Sequence, residues 1–450
     1  MARVLTRARG TLTIVAHLHG QRGALHRPRH DVEGARDSRL QSAVRHAARS
    51  VPYYRDLLAD EGIGAQDLRT PGDLRRLPLV DRPSVQATPE AFRAETRAGR
   101  EAVEFRTTGS TAMPLVVHHS RSSLLENIAY GERERAVEQG FLGRRQYSAF
   151  DVRATGGTLP RVQEFYATSS YRPFRPARRL VSVDDPPQAV IEAINEQRPD
   201  VIRSYGGYLE LIFRVAAATG KLRHLPAVVS YSGDTMSDTG RTLIETEFGI
   251  PVVSAYNAVE CFKIGFTCER RAGFHLHEDL CDVRVVDQAG HDVPPGERGE
   301  VVVSNLVNRA TVLLNYRLGD VARLEDEPCG CGRTSRRLVD LEGRVDDLIE
   351  LESGEYVYPT RVWRVFRERP EILRYQLVQH ARDRFELRMV IAHARAAGRT
   401  AADAADELRG VLGGAEVELA RCDDLPAGPG GKFRHLVPLA GEVAAVGTPG

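Results

Sequence analysis

Between residues 100 and 260, short apolar runs alternate with segments of helical period, and this alternation constrains the fold more than any other feature. Leu115–His118, Arg145–Ala149, Val201–Ser204, Ala227–Ser232 and Pro251–Ala255 read as strands. Ser122–Gln139, Pro187–Gln197, Tyr208–Thr219 and Ser237–Phe248 read as helices. Strands that take turns with helices build βαβ units and a mostly parallel sheet.

Two other regimes flank this one. Before it, residues 38–60 carry Leu40, Val44, Ala48, Val51 and Leu57 at roughly helical spacing, broken by Ser50-Val51-Pro52. Thr70-Pro71 starts a further short helix, with Thr70 as its cap. After it, residues 281–323 are rich in Val and turn signals and read as a β-rich subdomain. Beyond Gly343 the pattern is a small α+β domain: strands Leu348–Leu351, Tyr375–His380, Phe385–Ala392 and Val417–Leu419, with helices Pro359–Glu368 and Ala401–Leu412. The expected organisation is a poorly ordered basic tail over 1–37, a large domain over 38–344, a small mobile domain over 345–440 and a disordered end over 441–450.

Composition narrows the partners. The chain has 450 residues and a formal net charge of +1, which gives no reason to expect nucleic acid. Residues 1–50 hold ten arginines against Asp31, Glu33 and Asp37 and read as a solvated terminus. The apolar run Thr11–Leu18 is too short for a signal-peptide core or a membrane span, so the reading is a cytoplasmic protein with no membrane partner. Basic residues are almost all Arg; Lys occurs only at 221, 263 and 432. A compact ammonium therefore stands out where Lys432 sits, in the glycine-rich stretch Leu425–Arg434.

Several loops carry residue types suited to a nucleotide. Thr107-Thr108-Gly109-Ser110-Thr111 offers hydroxyls and backbone N–H groups that can cradle phosphate oxygens, although it lacks the G-x4-G-K-[ST] spacing of a P-loop. Gly233-Asp234-Thr235 follows an apolar strand, where α/β sheets place ligands. Tyr256-Asn257-Ala258-Val259-Glu260 follows another, and a carboxylate such as Glu260 suits a hard cation. Asp320, after Tyr316-Arg317-Leu318-Gly319, has two oxygens for a diol. Cys268-x6-His275 and Cys329-x-Cys331 supply four soft ligands, a tetrahedral Cys3His set, with His277 as a rival for His275. Cys261 and Cys281 read as small apolar packing residues. Phe150, Gly156, Gly157 and Tyr205 are candidates for a substrate pocket.

Taken in order, these pieces resemble the adenylate-forming enzymes, and within them the phenylacetate-CoA ligase-like family. The resemblance runs over about residues 38–438, including the amino-terminal Val51-Pro52-Tyr53-Tyr54-Arg55 and the ordered motif set from Tyr256 to Asp347. It implies a large multi-layer α/β adenylate-forming domain plus a small α+β carboxy-terminal domain. It implies ATP-dependent activation of a small carboxylic acid, aromatic in preference, as an acyl-adenylate, followed by transfer to coenzyme A. A carrier-protein thiol or an amine is the alternative acceptor, and a homodimer is compatible with it. It implies that Thr107–Thr111 hold phosphates, Gly233, Asp234, Thr235, Tyr256 and Asn257 border adenine, Asp320 holds ribose, Arg344 contacts ribose or phosphate, and Glu260 holds Mg2+. It gives Lys432 the adenylation step, makes Asp346 the hinge, and makes the zinc of Cys268, His275, Cys329 and Cys331 structural. The phosphate loop departs from the family pattern: Ala112-Met113-Pro114 stands where Gly-Lys-Pro is usual. That departure motivates one reading of another class, a catalytically inactive binding scaffold.

Overall fold

The computed structural model describes residues 2–107, 115–142, 148–153, 158–171, 177–341, 349–357, 359–366, 369, 371–391, 397–425, 434–437 and 439. The described chain opens with helices Ala2–Leu18, Arg29–Ser50 and Pro52–Asp60. The break between the last two is local chemistry. Pro52 bars the α region at the preceding residue, and Val51 is extended at φ −118° and ψ 114°.

The alternating region builds one sheet. Its strands follow a short antiparallel hairpin, β1 (Val103–Arg106) and β2 (Val116–His119). They are β3 (Ser148–Arg153), β4 (Ala177–Ser182), β5 (Val201–Ser204), β6 (Val228–Tyr231), β7 (Val252–Ala258), β8 (Phe262–Thr267), β9 (Phe274–Leu276), β10 (Cys281–Val286), β11 (Arg298–Asn305), β12 (Tyr316–Glu325) and β13 (Arg337–Val339). Their order across the sheet is β10-β11-β12-β13-β9-β8-β7-β6-β5-β3-β4. Only β4-β3-β5-β6-β7 is parallel, with intervening helices such as Pro187–Gln197 and Gly206–Thr219. The expectation of a mostly parallel sheet therefore holds for five strands. A tight turn joins β7 to β8, and such a turn can only make an antiparallel pair. From there to β10 the sheet is antiparallel, so the β-rich stretch continues the same sheet.

Burial follows the pattern. Val229, Val252, Ile202, Phe150 and Phe213 form one core under the parallel half. Val283, Val301, Val303, Leu313 and Tyr316 join Leu40, Val44 and Tyr54 in another under the antiparallel half. The carboxy-terminal strands β14 (Ile349–Glu350), β15 (Tyr356–Val357), β16 (Ile372–Ala381), β17 (Arg384–Ile391), β18 (Glu416–Arg421) and β19 (Leu436–Val437) lie with helices Pro359–Phe366 and Ala397–Val411. Four of them form a sheet in the order β18-β17-β16-β19 over a core of their own, with Leu377, Phe385, Leu387 and Leu408. The expected boundary at 344/345 falls outside the described residues.

The amino-terminal expectation needs correcting. Residues 2–18 are a helix that buries Ile14 beside Leu124 and Phe165. Thr11 Oγ1 accepts the Tyr171 amide at 2.8 Å, and Gly10 lies so close to the Ser169 carbonyl that a Cβ there would be 2.0 Å from its oxygen. Several of the arginines that suggest a solvated tail have carboxylate and carbonyl partners inside the body. Arg29 is bound to both oxygens of buried Glu278, and Arg39 donates to the Asp279 carbonyl at 2.8 Å. Among the described residues, no helix is long and apolar enough to cross a membrane.

Candidate active site

β3, β5, β6 and β7 are parallel neighbours, so their carboxyl ends lie side by side and border the position of the crevice in which an α/β sheet places its ligands. Tyr205 leaves β5 and caps helix Gly206–Thr219; the first helical N–H, that of Gly206, donates to the Asp234 carboxylate from the loop after β6. This carboxylate satisfies a donor that the helix itself leaves open, and its charge suits a helix N-terminus. The approach requires glycine: a Cβ on Gly206 would meet the Thr235 carbonyl oxygen at 2.5 Å. Gly233 takes φ +92°, the left-handed turn that points Asp234 back at the helix. Gly233, Asp234 and Thr235 are thus brought against Tyr205 and Gly206.

β7 and the turn after it carry the second group. The Tyr256 hydroxyl donates to Asp320 Oδ2 of β12 at 2.5 Å. Glu260 is buried in the β7–β8 turn, its Oε1 3.4 Å from the Tyr316 hydroxyl of β12, while its carbonyl accepts Asn305 Nδ2 at 2.9 Å. Asn257, exposed on β7, pairs across with Lys263 of β8. Asp320 is thus brought to Tyr256 and Glu260, which lie 60 or more positions before it.

Thr107 closes the base of the hydroxyl-rich loop. Its N–H donates to the Leu115 carbonyl at 3.0 Å, and its Oγ1 accepts from the Leu115 amide at 3.0 Å and from Arg82 Nη2 at 2.9 Å. Arg82, at the start of helix Arg82–Ala87, thereby sets a guanidinium at the root of a loop that has no lysine. Nothing local in the sequence marks it. Thr108, Gly109, Ser110, Thr111, Gly156, Gly157, Arg344, Asp346 and Lys432 lie outside the described residues.

The pocket reading of Phe150 does not hold. Its side chain is fully buried among Val190, Ile202 and Phe213. Side chains alternate along a strand, so Phe150 and Val152 face that core while Asp151 and Arg153 face the other way. Arg153 ends β3 and reaches the crevice: its Nη2 donates to Ser232 Oγ at 3.2 Å and its guanidinium lies over the Tyr205 ring at 5.0 Å. The alternation of Ser148–Arg153 is the signal that finds it. The same alternation argues against Phe150.

The four soft ligands converge. Cys268 follows β8, His275 lies in β9, and Cys329 and Cys331 lie in the loop from β12 to β13; their ligand atoms all lie within 4.8 Å of one another. The Cys268 and Cys329 sulfurs are 3.8 Å apart, and Cys331 Sγ is 3.3 Å from His275 Nε2. Zn–S bonds of about 2.3 Å at tetrahedral angles place two sulfurs about 3.8 Å apart, so the donor set fits zinc. A disulfide, at about 2.05 Å, is excluded at this separation. His275 Nδ1 is held by Ser335 Oγ at 3.2 Å, as an outer partner orients a ligating imidazole. His277, the rival, faces Arg133 and Glu134 instead. Cys261 and Cys281 are buried in the core of the antiparallel half. The cysteine loop also clasps the amino terminus, since Thr334 N–H donates to the Leu25 carbonyl at 2.8 Å and its Oγ1 to that of Arg27 at 2.7 Å.

No protein-family model matches the chain. The fold is that of the adenylate-forming CoA ligases. It aligns with 2-hydroxyisobutyryl-CoA ligase in the postadenylation state at a TM-score of 0.76 and 18% identity, covering 93% of this chain and 92% of that one. With the same enzyme in the thioesterification state the TM-score is 0.58, at 19% identity over 92% and 91%. Within that class the sequence is similar to phenylacetate-coenzyme A ligases: that of Thermus thermophilus is 26% identical over 368 residues, 78% of this chain and 79% of the relative.

Proposed function

We propose that the protein is an ATP-dependent, AMP-forming acid–thiol ligase of the phenylacetate-CoA ligase kind. A carboxylate oxygen attacks the α-phosphorus of ATP, pyrophosphate leaves, and an acyl-adenylate remains. The sulfur of coenzyme A then attacks the acyl carbon, AMP leaves, and the thiol proton is released. The observation that carries this reading is the convergence of Tyr256, Glu260 and Asp320 at the sheet end that also presents Gly233–Thr235.

In this reading Asp320 accepts both ribose hydroxyls and Tyr256 fixes its orientation while bordering the adenine with Asp234. Glu260 holds Mg2+, which supplies charge neutralisation at the phosphates when bound. Thr107–Thr111 and the Arg82 guanidinium grip the phosphates, Arg82 offsetting the absent loop lysine. Lys432 stabilises the charge that develops during adenylation. Cys268, His275, Cys329 and Cys331 hold a structural zinc remote from the chemistry. The acid is small, with an aromatic acid as the preferred class.

Carboxylate-dependent ATP–pyrophosphate exchange across an acid library tests the first step. Adding coenzyme A, a carrier protein and amines in turn tests the acceptor. Failure of every acid in the library to support exchange would return the protein to the inactive-scaffold reading that Ala112-Met113 motivates.

A further inference from the structure

Three arginines stand on the parallel strands β3, β4 and β5, Arg178 near the start of β4 and Arg203 and Arg153 toward the ends of β5 and β3, and two have carboxylates of their own. Arg203 is bound to Glu138 at 3.0 Å, and Arg178 lies 3.6 Å from buried Asp151. Arg153 differs. Its recorded partners among the described residues are the Ser232 carbonyl and hydroxyl and the face of Tyr205, with no carboxylate at ion-pair distance. Burial is the main influence on its guanidinium and disfavours the charge; Asp151 and Asp234 oppose that only through space. Arg153 is part-buried, and a partly desolvated cation with no carboxylate at ion-pair distance among the described residues is incompletely compensated and open to an anion from outside.

Its position says which anion. β3 is two strands from β6, about 10 Å at ordinary spacing, yet the side chain crosses the end of β5 to reach Ser232. It therefore spans the mouth of the crevice on the β5 side of the Gly233–Thr235 loop. The phosphate-facing groups, Glu260 and Thr107, belong to the β7–β8 turn and the β1–β2 hairpin, on the other side of that loop. The reacting carboxylate must meet the α-phosphate there. An anion at Arg153 is thus a second one, on the far part of the acyl group.

Resting on the ligase reading, we propose that Arg153 is the specificity-determining cation of the acyl pocket. The substrate is then an acid with a second anionic group remote from the carboxylate that is activated. Tyr205, under the guanidinium, forms the flat wall beside it.

The test is ATP–pyrophosphate exchange without coenzyme A, so that no anion of the acceptor is present. Wild type, Arg153→Leu and Arg153→Lys are each offered two matched pairs, phenylacetate with 4-carboxyphenylacetate and hexanoate with adipate, within a wider library of mono- and dianionic acids. Wild type should favour the dianionic members. Arg153→Leu should shift the kcat/KM ratio toward the monoanionic members by about 30-fold or more, the scale of losing one partner of a buried charge pair. Arg153→Lys should keep the wild-type order. The proposal is overturned if wild type favours the monoanionic members, or if Arg153→Leu lowers all acids in parallel, which is the mark of a residue that only ties Tyr205 to Ser232. If no acid in the library supports exchange by wild type, the ligase reading itself is overturned, and this inference with it.

Discussion

The hydroxyl of Tyr256 lies 2.5 Å from the carboxylate of Asp320, although the two residues are 64 positions and four strand steps apart. Laid flat, four steps of about 4.8 Å would separate β7 from β12 by about 19 Å, beyond the reach of a tyrosine. The sheet therefore curls so that β12 faces the end of β7, and Tyr316 meets Glu260 by the same curl. Asp320→Ala should raise the KM for ATP by about 10- to 100-fold, the range for hydrogen bonds to a charged group. Tyr256→Phe, which leaves the carboxylate but removes the donor that aims it, should raise it by about tenfold or less. Exchange kinetics at varied ATP measure both. Equal KM values in wild type and Asp320→Ala would remove Asp320 from the nucleotide site.

The zinc proposal makes a compositional prediction. Protein expressed with metal should carry one zinc per chain, read by elemental analysis. Cys329→Ser should lose it and lower Tm by about 5–10 °C, because binding free energy in such sites is folding free energy. The clasp of Thr334 on Leu25 and Arg27 adds a second readout: amide exchange over residues 21–27 should quicken in the variant. A zinc-free wild-type protein of unchanged stability contradicts the assignment.

Acid should attack the joint between the amino-terminal helices and the body. Burial pulls the Glu278 carboxyl upward, but hydrogen bonds and charge from Arg29 and Arg336 outweigh it and hold it at about 2, against an ordinary 4.5. A carboxylate depressed in the folded state adds stability that is fully present above its unfolded value and is lost as pH falls through its folded value. That window runs from about pH 4.5 down to about 2, with on the order of 3 kcal/mol at stake for this one group. Denaturant unfolding across that range should show the loss, and Glu278→Gln should flatten it while lowering stability at pH 7. A slope that Glu278→Gln leaves unchanged would place the acid sensitivity elsewhere.

What the sequence revealed and what it hid have physical causes. Val201–Ser204 and Pro187–Gln197 match β5 and a helix to the residue. Apolar runs bounded by Pro and by a left-handed C-cap, here Arg198, are strong local signals. β4 carries no strand signal in the sequence, because this strand, with Arg178 and Arg179, lies at the sheet edge and lacks an apolar run. The helix Ala2–Leu18 looks like a tail in the sequence because its partners, Ser169 to Tyr171, are some 160 positions away. The proposed zinc ligands are legible as residue types; in space His275 joins the three cysteines while His277 faces Glu134 and Arg133. Arg82 was hidden for the same reason: its link to Thr107 is purely tertiary.

The last prediction concerns the two half-reactions. Lys432, in a glycine-rich stretch, and Asp346, where two composition regimes meet, are proposed to act as adenylation cation and hinge. If a few residues near Asp346 absorb the backbone change, the small domain can present Lys432 for the first step and withdraw it for the second. Lys432→Ala should then slow adenylation by about 100-fold or more, the scale of removing one oriented charge stabiliser. It should still pass the acyl group of a supplied acyl-adenylate to coenzyme A at close to the wild-type rate. Asp346→Pro should do the reverse, because proline fixes φ at the hinge. Adenylation would persist and transfer would fail. Single-turnover measurement of each half-reaction on each variant separates the cases. Equal slowing of both steps in Lys432→Ala, or normal transfer in Asp346→Pro, would mean that the two steps share one arrangement of the domains.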